Sequence, residues 1–179
     1  LPALPALTLD LGASLSQAQL TLTAMLLAFG FSQLVWGPVS DRWGRRPVLI
    51  MGMGLFALAA MGSVWAASVQ TLIVWRALQG VAMGAAVMGA RAIVRDLYNP
   101  IDAARAMSKG LTGLGVIACI TAPLGGWLSD QWGWRVALSA LAVFGALTCA
   151  LLVWRFEETL RQRNPKALEW RVLVSTWRG

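Results

Sequence analysis

Gly37-Pro-Val-Ser-Asp-Arg-Trp-Gly-Arg-Arg46 is one of two matching stretches in this chain; the other is Gly126-Trp-Leu-Ser-Asp-Gln-Trp-Gly-Trp-Arg135. Six positions agree at a constant separation of 89 residues: Gly37/Gly126, Ser40/Ser129, Asp41/Asp130, Trp43/Trp132, Gly44/Gly133 and Arg46/Arg135. Each stretch sits between long apolar runs, so each reads as a short polar turn joining two membrane helices. The 89 residues between them must then hold the membrane crossings that relate the two copies.

Composition places the chain in a bilayer. Of its 179 residues, 58% are hydrophobic and 13% charged, with a mean hydropathy of +0.64. A soluble domain carries about 25% charged residues, so lipid is the expected solvent. The net charge of +7 does not point to nucleic acid, because the basic residues lie at the ends of apolar runs, where they set topology. There is no histidine, which excludes an imidazole base or ligand. Cys119 and Cys149 lie inside apolar runs without CxxC spacing and read as packing residues. No catalytic constellation, phosphate-binding loop, cofactor or metal site is expected. The chain starts at Leu1 without a secretory signal pattern and reads as a fragment.

Along the chain, Leu1 to Leu7 (LPALPAL) reads as the last turns of a first helix. Thr8 to Ala18, with its single charge Asp10, reads as a loop. Span 2 runs from about Gln19 to Val39, span 3 from about Pro47 to Ala67, span 4 from about Leu72 to Val94, span 5 from about Lys109 to Leu128 and span 6 from about Val136 to Trp154. Asn99-Pro100 and the charges around it read as the loop between spans 4 and 5. Within span 4 the uncharged part, Ala77 to Ala90, is 14 residues. A crossing needs about 20, so Arg76 lies within or at the edge of the membrane. One side of the membrane receives 13 of the 15 basic residues and the other only Arg135, with Arg76 inside a span. The basic side is therefore expected to be cytoplasmic. After Trp154 the tail is charged. Lys166 to Trp177 reads either as an amphipathic helix on the membrane face or as a solvated linker.

Three crossings, an odd number, separate the two turns, so the two units are inverted relative to each other. Inverted repeats of three helices nested in a six-helix half mark the major facilitator architecture. At these residues the chain resembles the major facilitator superfamily, in its drug:proton antiporter group. The LPALP ending of span 1 and the first turn are most similar to Bcr/CflA-type multidrug exporters. The resemblance implies an all-α, membrane-spanning, amino-terminal six-helix half of a transporter, with its first helix truncated. It places the membrane half at residues 1–156 and a cytoplasmic central linker at 157–179.

Three motifs carry the resemblance. Gly37 to Arg46 matches G-x-x-x-D-R-x-G-R-[RK]. Gly37 and Gly44 permit tight turns and close approach, and Asp41 can cap a helix or pair with a base. The resemblance implies that Gly37, Asp41, Arg42, Gly44, Arg45 and Arg46 form a conformational switch, with Arg45 paired to Asp96 at the end of span 4. Read on its residues alone, the same stretch serves as a solvated turn that only sets topology. Arg76, Gln79 and Gly80 match R-x-x-Q-G, which implies a place near proton transfer; the bland reading is an arginine snorkelling to the outer interface and a glycine that packs. Gly115, Pro123, Gly125 and Gly126, with Gly113, resemble the antiporter motif of span 5, although Pro123 is displaced by one position. Gln33 and Met83 are candidates for the substrate cavity.

The resemblance implies proton-driven export of small amphipathic compounds by alternating access across a bacterial inner membrane. Its partners are a small-molecule substrate, protons, the lipid bilayer and the carboxyl-terminal half of the same transporter, acting as a monomer without nucleic acid. A nutrient uniporter or symporter, or a non-transporting membrane sensor on the same fold, remains open. The acidic residue that the family carries in span 1 has no counterpart here, and Asp10, expected in the outer loop, substitutes for it poorly.

Overall fold

The computed structural model describes residues 4–160, 162–165 and 167, with side chains from Leu7 onward. The tail segment expected as an amphipathic helix lies almost wholly outside them. The described chain is a string of six helices: α1 (Leu4–Leu11), α2 (Leu15–Trp43), α3 (Arg45–Val64), α4 (Val69–Leu97), α5 (Pro100–Trp132) and α6 (Trp134–Arg155). Among the described residues, α2 to α6 are each long and apolar enough to cross a membrane. A helix satisfies all its interior backbone groups itself, which is what hydrocarbon demands.

The expected loops are shorter than the sequence reading drew them. Thr8 to Ala18 is not a loop. α1 continues to Leu11 and stops at Gly12, whose φ of +58° lets the Ala13 N–H reach back to the Thr8 carbonyl at 3.0 Å, a left-handed helix stop. α2 then starts on a capping box. The Ser14 hydroxyl accepts from the Gln17 N–H at 3.2 Å, and the Gln17 side chain accepts from the Ser14 N–H at 2.9 Å. Asp10 thus ends a helix and does not float in a loop. Asn99-Pro100 is likewise a helix start. The Asn99 side chain accepts from the Asp102 N–H at 3.0 Å, and proline at the first helical position gives up no needed donor. The two repeated stretches are not turns but helix. α2 runs to Trp43 and α5 to Trp132, and each is broken by a single residue, Gly44 (φ 110°) or Gly133 (φ 85°). Only glycine adopts such φ values at little cost, so one residue suffices to reverse the chain.

α4 is the central helix, packed on one side by α2 and on the other by α3, while α3 also packs on α6. Close approach makes this possible. A Cβ on Gly80 would run into the Met25 carbonyl of α2, and one on Gly84 into Ser32. Between them the Trp36 indole N–H donates to the Val81 carbonyl across the α2–α4 seam at 2.8 Å. Small residues at such crossings are how membrane helices gain contact without a hydrophobic driving force. α5 is peripheral: Leu111 to Leu124 is exposed throughout.

The inverted relation of the two repeats is written in their hydrogen bonds. Arg46, of the first copy, donates to the Val153 carbonyl near the end of α6 at 2.8 Å. Arg135, of the second copy, donates to the Val64 carbonyl at the end of α3 at 3.2 Å. Both the arginines and the valines are 89 positions apart. Each copy therefore braces the last turn of the other repeat, at opposite ends of the bundle, as a two-fold relation requires.

Gly80→Ala should destabilise the α2–α4 seam by about 1–3 kcal/mol through overpacking, whereas Gly110→Ala, in open space on α5, should be neutral or slightly stabilising. Thermal unfolding in detergent, followed by tryptophan fluorescence, checks the contrast; equal midpoints would place α2 away from Gly80.

Candidate functional site

The break at Gly44 gathers charge around one buried arginine. Arg45 follows the glycine, and its side chain is 3% exposed. Nε donates to Asp96 at 2.9 Å, and Nη1 donates to Asp41 at 2.7 Å and to the Ser40 hydroxyl at 3.0 Å. A buried guanidinium is tolerable only when its donors find such acceptors. Asp41 and Ser40 reach it because α2 runs on as helix to Trp43, which puts position 41 one turn from position 45. Asp96 reaches it from the end of α4.

The amides of α3 are capped from a distance. Gly44 has no side chain to cap the helix, and the Glu158 carboxylate takes the task, accepting from the Arg45 N–H at 2.8 Å and from the Arg46 N–H at 3.3 Å. An anion suits the positive end of the helix. Glu158 was not among the residues singled out from sequence, since nothing local ties position 158 to position 45. Beyond it the chain returns to the same end, where the Asn164 N–H donates to the Asp41 carbonyl at 3.0 Å. Arg42 is exposed and joins none of these bonds.

A cavity of about 420 Å³ opens beside this cluster, between α2 and α4. Gln33, Gly37, Asp41, Met88, Arg91 and Arg95 are among its walls, with Ala167 from the tail. Gln33 thus borders a cavity, and Arg91 points a guanidinium N–H at its side-chain oxygen from 3.5 Å, at the edge of hydrogen-bonding range. Met83 is half-buried on α4 and does not border this space; Met88 does.

Further along α4, Arg76 donates from Nη1 to the Gln79 side-chain oxygen at 3.1 Å. Gln79 is 1% exposed, and its Nε2 has no partner among the described residues. No carboxylate pairs with Arg76 there either. The two side chains present donors to a space that asks for an acceptor. Gly80 belongs to the packing seam with α2. The span 5 group stands apart from both clusters. Pro123 lies in the helix interior, Gly126 is buried, and added Cβ atoms at Gly115 and Gly125 would meet nothing.

The second copy builds a lighter version at the other end. Position 134 holds tryptophan where the first copy has Arg45, and its indole N–H donates to Asp10 at 3.1 Å. Arg135 also donates to Asp10 and to the Ala66 carbonyl. Hydrogen bonds from Arg135 and then Trp134 hold the Asp10 carboxyl below its usual range. Without an arginine at position 134, Ser129 is buried with no partner among the described residues and Asp130 is exposed.

Compared with known proteins, the sequence model of the Major Facilitator Superfamily matches residues 1–178. The chain is 37% identical over 175 residues to a chloramphenicol resistance protein of Pseudomonas aeruginosa, covering 97% of this chain and 42% of that one. It is 37% identical over 155 residues to multidrug resistance protein D of Escherichia coli, covering 86% and 39%. Among solved structures, the human organic anion transporter MFSD10 superposes with a TM-score of 0.68 at 25% identity, covering 87% of this chain and 36% of that one. The proton:xylose symporter XylE superposes with a TM-score of 0.67 at 20% identity, covering 85% and 39%. The chain spans about two fifths of the length of the curated relatives it matches.

Arg45→Ala should cost about 1–3 kcal/mol, mostly by leaving the half-buried Asp96 unpaired while Asp41 turns to solvent, and Asp96→Asn less, since the amide oxygen still accepts. Denaturation in detergent checks the order; equal losses would show that the cluster is solvated. At the other end, the Asp10 bonds stabilise the protein above the ordinary carboxylate pKa, and that stabilisation should fade as pH falls from about 4 through the lowered value. Asp10→Asn should therefore be less stable than the parent at neutral pH and converge with it in acid; a difference that persists unchanged in acid would contradict the assignment.

Proposed function

The chain belongs to the Major Facilitator Superfamily, and on that premise we propose that it forms the amino-terminal half of a transporter that exports small amphipathic compounds in exchange for protons. The all-helical architecture of a multi-pass membrane protein, with its inverted repeats, supplies the scaffold. Relatives named for resistance to chloramphenicol and to multiple drugs, each alike over most of this chain, support export of such compounds. The basic Gly44 end faces the cytoplasm of a bacterial inner membrane in this reading. A carboxyl-terminal half completes the substrate cavity, the two halves work as one monomer, and no cofactor takes part.

The observation that carries proton coupling is the Arg76–Gln79 pair on α4. Placing a charge in a span costs roughly 2.5–3.5 kcal/mol on insertion scales, so a retained Arg76 has a task. Arginine keeps its proton at any working pH. Its role is to favour the ionised form of a carboxylic acid brought against it, so that the acid releases its proton on the side where the cavity is open. Gln79 steadies the guanidinium with its oxygen and offers its unpartnered amide to the same acceptor.

Alternating access requires that the cytoplasmic end close when the outer end opens. The Gly37 to Arg46 segment serves as the latch in this account, with Arg45 held by Asp41 and Asp96 in the closed arrangement. Gln33 borders the cytoplasmic entry, and Met83 lies deeper on α4. Of the span 5 group, Gly115, Pro123 and Gly125 offer a small-residue surface for the other half, while Gly126 packs within this one.

Efflux from vesicles carrying the complete transporter under an imposed pH gradient tests the reading, with chloramphenicol and an amphipathic dye as probes. Export should follow the gradient, and Arg76→Ala should abolish it while the protein still inserts. Gradient-driven export intact in Arg76→Ala would remove the coupling role, and no movement of either probe under any gradient would overturn drug export.

A further inference from the structure

The cavity between α2 and α4 holds charge that the Arg45 cluster does not absorb. At about 420 Å³ it falls within the range of small-molecule sites, roughly 300–1,000 Å³. Three arginines stand on its walls, Arg45, Arg91 and Arg95, against one carboxylate, Asp41. The walls therefore carry an excess of two positive charges, and of one when Asp96, which does not line the cavity, is counted with Arg45.

The excess lies on Arg91 and Arg95. Arg45 is committed to Asp41, Asp96 and Ser40. Neither Arg91 nor Arg95 pairs with a carboxylate among the described residues, and Arg91 reaches the Gln33 oxygen only from 3.5 Å. The two are four positions apart on α4, hence on one face and one turn from each other. Like charges at that spacing repel, and an anion between them would relieve the repulsion. Both are exposed, as cations that set topology are. Topology asks for such charges at this end of the helix, but not for a cavity in front of them.

The remaining wall is apolar. Leu34 and Pro38 of α2 face Met88 and Ala92 of α4 across the same space. A ligand that fits both parts has an anionic group at one end and an apolar body at the other. A guanidinium fork matches the two oxygens of a carboxylate.

We propose that this cavity takes amphipathic compounds that carry a carboxylate. Arg91 and Arg95 hold the carboxylate, and Leu34, Pro38, Met88 and Ala92 cover the apolar body. The inference names a substrate class for the export reading and rests on it for its role in the cell, while binding itself needs only the folded cavity.

Fluorescence anisotropy tests it on the complete transporter in nanodiscs of neutral lipid, without a gradient. The probes are dansylglycine and its amide, which differ in the charge alone. Dansylglycine should bind about tenfold more tightly, about threefold for each arginine, and added salt should narrow the difference. Arg91→Gln and Arg95→Gln should each remove about threefold of the preference and leave the affinity for the amide unchanged. Lys109→Gln, which removes an exposed cation away from the cavity, should alter neither affinity. Equal binding of the two probes, a preference that survives in both arginine variants, or one lost equally in Lys109→Gln would overturn the site. Ala167 stands on the cavity wall, and Glu169, outside the described residues, is the acidic residue nearest to it in sequence. A preference that emerges only in Glu169→Gln would put the chain's own carboxylate in the cavity and overturn the site as well. Failure of binding would leave export of neutral compounds standing, whereas binding without gradient-driven export would remove the transport reading alone.

Discussion

Arg46 and Arg135 exchange roles across the molecule. Each follows a chain-breaking glycine by two residues, and each gives a guanidinium N–H to a carbonyl at the end of the other repeat. A carbonyl left over where a helix ends calls for a donor from elsewhere. The side chain that satisfies it also fixes where the two repeats meet. That reciprocity holds α3 and α6 together at both ends, and the rest of the bundle is arranged on them: α4 against α3, α2 against α4, and α5 outside.

The two ends share a plan but not a chemistry. Where the first copy has Arg45, the second has Trp134, and the consequences run through the neighbours. Arg45, itself buried, draws Asp41, Ser40 and Asp96 around its guanidinium. Trp134 needs one acceptor, Asp10, and leaves Ser129 without a partner among the described residues and Asp130 exposed. The buried Arg45 guanidinium depends on its acceptors, since losing the half-buried Asp96 would leave a buried charge short of a partner. The Gly133 end, with partly exposed groups, suits a permanent brace. One segment used twice thus gives two ends of different chemistry, an arginine cluster at Gly44 and a tryptophan brace at Gly133.

Much of this was legible in the residues. The 89-residue offset gave the inverted topology, and the spacing of Arg45 and Asp96 about their apolar runs placed them at one end. The small-residue seam at Gly80 was visible as well. What was misread were the helix ends. Polar residues at Thr8 to Ala18 and at Asn99-Pro100 read as loops by hydropathy alone, which does not register capping. Yet Ser14 with Gln17, and Asn99 with Pro100, are start signals that were there to be read. The polar repeats looked like turns for the same reason, although a single glycine reverses the chain in each. Glu158 and the Asp10–Arg135 contact were beyond reach, since they join residues more than a hundred positions apart through tertiary packing alone.

The account rests on the two repeats facing opposite sides of the membrane, and labelling tests that directly. With Cys119 and Cys149 replaced, single cysteines at Arg42 and at Asp130, both exposed positions, would be treated in intact cells with a maleimide that does not cross membranes. The account predicts that position 130 reacts at once, and that position 42 reacts only after the membrane is permeabilised. Reaction of both positions from the same side would contradict the inverted repeat, and with it the latch at Gly44 and the reading of the chain as half of an exporter.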